Sequence, residues 1–201
     1  HQYLANNNGL LLSSTPLTLA ETASVFGEML TFRSILSGTK SIEKRKVVLR
    51  SKIEDMLNTV VRQISFYEFE KKIHRQRLLG ELSTEFICNL LLETKKESLG
   101  DSVKLNGDYK YFWAYIPLFI HSPFYVYAYA FGDCLVNSLY AKYEEGLKDF
   151  NDKYIHLLKS GGSIEYSELL QTFDLDPKNS TFWQSGLNLI KKLIDDLEEL
   201  G

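Results

Sequence analysis

Apolar positions recur at helical spacing along most of the chain, while the strict alternation of a half-buried strand is weak throughout. Residues Val47, Val48, Ile53, Leu57, Val60, Val61, Ile64, Tyr67 and Phe69 predict one long helical stretch from Ile42 to about Leu79. Leu187, Ile190, Leu193, Ile194 and Leu197 share one face of a closing helix, Thr181 to Leu200. Between these, Thr18-Leu19-Ala20-Glu21 has the form of a capping box behind Pro16 and opens a helix to about Leu36. Ser83-Thr84-Glu85 opens another, to Lys96. Asn6-Asn7-Asn8-Gly9 closes a short first helix, and Gly161-Gly162 breaks the chain before a short helix from Ser163 to Phe173. Pro117 and Pro123 bracket an irregular segment, and Pro123 fits the first turn of a helix running to about Leu158. The fold expected is all-α. Residues 1–160 form its main part and 161–201 a C-terminal helical hairpin packed on it.

Composition changes this picture at a few points. The 201 residues carry a net charge of -3, which gives no reason to expect nucleic acid or an anionic membrane as partner. The apolar window from Tyr111 to Tyr140 is interrupted by Pro117, His121, Pro123, Asp133 and Asn137, so no membrane span is expected. The start, His1-Gln2-Tyr3-Leu4-Ala5-Asn6, has no signal-peptide pattern and no initiator Met, which suggests a piece of a longer protein. Cys88 and Cys134 read as buried thiols of a reducing compartment. Tyrosine is the lopsided count. There are twelve, and Tyr109, Tyr111, Tyr115, Tyr125, Tyr127 and Tyr129 crowd one short stretch, although a buried phenol must find a partner for its hydroxyl.

Two blocks carry candidate chemistry. Glu21 and Glu28 lie two turns apart on one helix face, about 10 Å along the axis. Carboxylates so spaced cannot both ligate one metal ion, but one can be a ligand while the other steadies a neighbouring ligand. On spacing alone the stronger reading is Glu21 as an N-terminal capping residue and Glu28 as a solvated charge. The wording goes further. Leu17-Thr18-Leu19-Ala20-Glu21-Thr22-Ala23-Ser24-Val25-Phe26-Gly27-Glu28-Met29-Leu30 resembles a segment of the oligoendopeptidase F and thimet oligopeptidase family of zinc peptidases. In that family an H-E-x-x-H helix supplies two histidine ligands and the glutamate base, and a Glu on a second helix is the third ligand. The resemblance implies that Glu21 is the zinc ligand and Glu28 the carboxylate behind the ligands. It also implies that His1-Gln2-Tyr3 follows just after an H-E-x-x-H motif lying upstream. The four histidines here, His1, His74, His121 and His156, include no i, i+4 pair, so zinc binding by this chain alone is expected to be weak or absent.

The second block, Phe112 to Ala130, resembles the family's channel wall, where a histidine and several tyrosines face the substrate. Phenol and imidazole donors preorganised around a developing oxyanion stabilise its transition state. The resemblance implies catalytic roles for His121, Tyr125 and Tyr129, with Tyr127 a substrate contact. Tyr125 and Tyr129 are i, i+4 neighbours, and His121 stands one turn earlier if the helix reaches that far. Leu118 stands where the family pattern would place a histidine. Glu70 and His74, also i, i+4, read as an ion pair without metal-type company.

Together these imply part of the catalytic domain of a gluzincin-type oligopeptidase, one wall of a deep cleft. The implied function is zinc-dependent hydrolysis of short peptides in the cytoplasm, inactive without the missing N-terminal part of the protein; a homo-oligomer is left open. A non-catalytic helical scaffold that binds a peptide or protein is the alternative.

Overall fold

The computed structural model describes residues 1–201, apart from the side chain of Ser102. No strand occurs among the described residues, and the elements are helices joined by turns. They are α1 (Gln2–Ala5), α2 (Thr22–Gly38), α3 (Ile42–Leu57), α4 (Gln63–Arg77), α5 (Thr84–Leu99), α6 (Leu118–His121), α7 (Tyr127–Glu144), α8 (Phe150–Ser160), α9 (Tyr166–Gln171) and α10 (Ser180–Glu199). No described helix is long and apolar enough to cross a membrane.

The chain forms two compact units. The first comprises residues 1–56 and 131–201, the second residues 57–130. In the first unit every residue of α7 from Phe131 to Tyr140 is buried. A helix enclosed on all sides is a core element, and its polar members must find partners inside. Phe26, Met29 and Phe32 of α2, Leu49, Ile53 and Met56 of α3, and Phe182 and Leu193 of α10 are buried in this unit. Phe26 packs on Tyr154 of α8 at 4.6 Å between ring centroids. Arg45 Nη1 donates at 2.8 Å to the Leu36 carbonyl near the end of α2, which also accepts from Thr39 N at 3.3 Å. Residues 161–201 belong to this unit and carry α9 and α10.

The chain start is tied down by polar contacts. Asn8 Nδ2 donates to the carbonyls of Lys159 at 2.7 Å and Ser160 at 2.9 Å, and Gly162 N donates to Leu12 O at 2.8 Å. Gly161 has φ 53°, and a β-carbon there would meet Leu12 O at 2.3 Å, so only glycine allows this approach.

The second unit is built on α4 and α5. Phe66, Phe69, Leu91 and Val126 are its buried cluster, with Phe112, Trp113, Leu118 and Phe119 packed against it. Ser83 caps α5 as the sequence predicts, its Oγ accepting from Phe86 N at 3.2 Å.

Three expectations change. The capping box at Thr18 does not form: Leu17–Leu19 is a 3₁₀ turn, α2 begins at Thr22, and Glu21 is the residue preceding its first turn. The stretch 42–79 is interrupted by a π turn, Asn58–Arg62, between α3 and α4. The helix expected from Pro123 to Leu158 is two helices, α7 and α8, preceded by a turn, because Phe124 and Asp149 have positive φ (62° and 58°) and Gly146 has φ 75°.

Candidate active site

Glu21 and Glu28 belong to the first unit; His121, Tyr125, Tyr127 and Tyr129 belong to the second. Glu21 sits at the N-terminal end of α2, where the helix dipole favours a carboxylate. Its Oε2 accepts from Ser24 Oγ at 3.4 Å, and its backbone carbonyl accepts from the same hydroxyl at 3.1 Å. Glu21 packs against Gly132 of α7, where an added β-carbon would lie 3.2 Å from Glu21 Cβ. Among the described residues, no three His, Cys, Asp or Glu side chains gather into a group that could hold a metal ion. Glu21 offers one oxygen donor of the kind zinc accepts, which by itself makes no site.

Glu28 is half exposed and forms an ion pair with Lys52 of α3, whose side chain is only 6% exposed. An ammonium so shielded needs compensating charge. Asp133 of α7 supplies more of it. Burial is the main cause of the Asp133 carboxyl being raised to about 6, against the lowering pull of Lys52 and of Asn137 Nδ2, which donates to Asp133 Oδ2 at 3.0 Å. Three helices of the first unit thus converge on one lysine. Sequence reasoning singled out Glu28, missed Lys52, and read Asp133 only as an interruption of an apolar window, although a charged residue inside the apolar run of α7 was the available signal.

Next to the start of α2 is a cavity of about 480 Å³ lined by His1, Ser13, Ser14, Thr15 and Ala20 among others. Both ring nitrogens of His1 are shielded from solvent there and have no hydrogen-bond partner in the chain.

In the second unit His121 ends α6 and is exposed, while Tyr125 precedes α7 rather than lying within it. The helix carrying Tyr129 therefore does not reach back to His121, the condition on which the sequence placed His121 one turn before Tyr125. The break comes from a turn at Ser122–Tyr125, closed by Tyr125 N donating to Ser122 O at 3.1 Å. The Tyr125 and Tyr129 rings are still neighbours, 5.5 Å between centroids. Tyr127 turns instead to Tyr67 of α4, at 5.8 Å. Leu118 is partly buried and packs against the apolar cluster of Phe66, Phe69, Leu91 and Val126. Glu70 is buried at 2% exposure, and its Oε1 accepts from Phe124 N at 2.7 Å; His74 Nε2 stands at 3.9 Å from the same oxygen. Burial raises the Glu70 carboxyl above its usual range despite the Phe124 hydrogen bond and the nearby imidazole.

The peptidase family M3 sequence profile matches residues 1–189. The plasmid oligoendopeptidase F of Lactococcus lactis subsp. cremoris is 30% identical over 98% of this chain and 33% of its own length. An oligoendopeptidase F homologue of Borreliella burgdorferi is 30% identical over 100% of the chain and 34% of its own length. The crystal structure of oligoendopeptidase-F from Enterococcus faecium shares the fold, with TM-score 0.82 at 22% identity, covering 99% of this chain and 37% of that one. The chain thus spans about a third of the length of the curated relatives it matches. Its helices, and the match running from His1 to Leu189, place it by descent: the chain belongs to peptidase family M3.

Proposed function

We propose that the protein containing this chain is a zinc-dependent endopeptidase acting on short peptides in the cytoplasm. The family match over residues 1–189 carries the reading, because it includes both candidate blocks. Glu21 is assigned as one zinc ligand, with the remaining ligands and the general base outside this chain. Zinc, when bound, supplies Lewis-acid polarisation of the scissile carbonyl. Glu28 contributes orientation: with its carboxylate held by Lys52, it is fixed two turns from Glu21 and available to a neighbouring ligand's N–H.

On the other block, His121, Tyr125 and Tyr129 are assigned as donors to the oxyanion that develops as the peptide bond is attacked. Such donors act through being in place beforehand, and each removed costs roughly 10²- to 10³-fold in turnover. Tyr127, turned towards Tyr67, is assigned a contact to the substrate backbone rather than to the oxyanion. The substrates assigned are flexible oligopeptides.

The test uses the full-length protein. Glu21→Gln is expected to lose both bound zinc, by elemental analysis, and peptide hydrolysis. Full activity in that variant would return Glu21 to a helix-start role and end this reading. Tyr125→Phe and His121→Ala are expected to keep their zinc and lose turnover.

A further inference from the structure

We infer that Glu70 is a positioning residue: it pins the Ser122–Tyr125 turn and thereby sets where His121 and Tyr125 point. The inference rests on the proposed roles of those two side chains and deepens them.

The turn has Pro123 in its second place and Phe124 in its third. Proline presets its own φ, and a turn of this order with φ 62° at the third residue ordinarily takes glycine or asparagine there. A phenylalanine in the left-handed region is strained and persists only where its surroundings hold it. The N–H of the third residue is also the one such a turn leaves unused, since the closing bond runs from Tyr125 N to Ser122 O. Here that N–H donates to Glu70 Oε1 at 2.7 Å. The carboxylate therefore removes both problems at once: it satisfies a donor that would be left unpaired and holds the backbone where the donor is presented.

One stripe of α4 does the holding. Tyr67, Glu70 and His74 follow at i, i+3 and i+7 and so share a face. The Tyr67 ring meets Phe124 edge-on at 6.2 Å, and the His74 imidazole lies at 4.7 Å from the same ring. Glu70, only 2% exposed, stands between them. The turn links α6, which ends at His121, to α7, which starts at Tyr127, so its shape decides the direction of both residues flanking it. Glu70, 2% exposed and hydrogen-bonded to the Phe124 N–H, acts on the geometry of the turn.

The experiment compares Glu70→Met, similar in size but without an acceptor, with Glu70→Gln, which keeps one. Both are made in the full-length protein. Hydrogen exchange of the peptide covering Phe124 reports the turn directly, and steady-state kinetics report its consequence. Glu70→Met is expected to speed exchange at Phe124 and to lower kcat roughly 10- to 100-fold with a smaller change in KM, the scale of a displaced catalytic group. Glu70→Gln is expected to restore protection at Phe124 and most of kcat. Unchanged exchange in Glu70→Met, or a Glu70→Gln variant as impaired as Glu70→Met, overturns the inference. Should Glu70→Met not fold, Glu70→Gln decides alone: it must keep the Phe124 amide as protected as in the wild type. Loss of protection in Glu70→Met, with turnover unchanged in His121→Ala and Tyr125→Phe, leaves the clamp standing but removes the oxyanion reading it was meant to serve, and with it the positioning role.

Discussion

Gly132 of α7 and Glu21 at the start of α2 touch so closely that a β-carbon on the glycine would lie 3.2 Å from Glu21 Cβ and 3.8 Å from its Cγ. A helix-interior glycine is less favourable than alanine by about 1 kcal/mol, so its presence here marks a close approach. Gly132→Ala sets that gain against a contact Glu21 must yield to, and stability is expected to stay within about 1 kcal/mol of wild type. Gly132→Val cannot be accommodated by a few tenths of an ångström and is expected to cost about 1–3 kcal/mol. On the proposed reading it also displaces Glu21. Thermal midpoints and zinc content of the full-length variants check both.

The chain start is held by Asn8 and Gly161. Asn8→Ala leaves two carbonyls at the end of α8 without their donor and is expected to destabilise by about 1 kcal/mol. Gly161→Ala adds left-handed strain to a direct clash with Leu12 O and is expected to cost more. Urea unfolding of each variant gives the order.

Asp133 makes stability pH-dependent in a direction opposite to most carboxylates. Its folded carboxyl is raised to about 6 from an ordinary 3.8, so the folded state holds a proton that the unfolded chain gives up. The contribution is fully present below the unfolded value and is lost as pH rises through about 6. Asp133→Asn keeps the shape without the proton. Its stability is expected to lose less than wild type's between pH 4 and 7, a difference on the order of 2 kcal/mol. Denaturation midpoints across that range check the slope.

Lys95 acts in the opposite sense at higher pH. It is fully buried on α5, with Nζ over the Phe66 ring at 3.4 Å and donating to Arg62 O at 3.3 Å. Burial first, and Arg62 second, lower its ammonium to about 7. The unfolded chain therefore binds more protons from about pH 7 up to the ordinary lysine range, and stability rises with pH across that window. Lys95→Met removes the rise, which a pH series from 7 to 10 would show as a flatter curve.

Local signals carried most of the fold. Ser83 before an apolar run specified the start of α5, and Asn6 to Gly9 the end of the first helical segment, because caps and turns depend on near neighbours. The π turn at Asn58–Arg62 left no trace in the apolar period, since inserting one residue in a helix keeps every residue helix-compatible. Pro123 read as the first turn of a helix because proline is at home there. What overrode it was an oxygen 54 residues away in the chain, Glu70 Oε1 on Phe124 N. The candidate acidic and aromatic residues were legible through their wording, whereas Lys52 and Asp133 were not, because a buried charge is explained only by the partner that neutralises it.

The two tryptophans are divided between the units, Trp113 in the second and Trp183 in the first. Their surroundings differ: the Trp113 indole donates to Cys88 Sγ at 3.4 Å, whereas that of Trp183 donates to the Pro177 carbonyl at 3.0 Å. Unfolding removes a different partner from each indole, a thiol from Trp113 and a peptide carbonyl from Trp183, and wets both rings. Each half of the molecule thus carries its own optical reporter, and a Trp113→Phe or Trp183→Phe variant would let the melting of either half be watched alone.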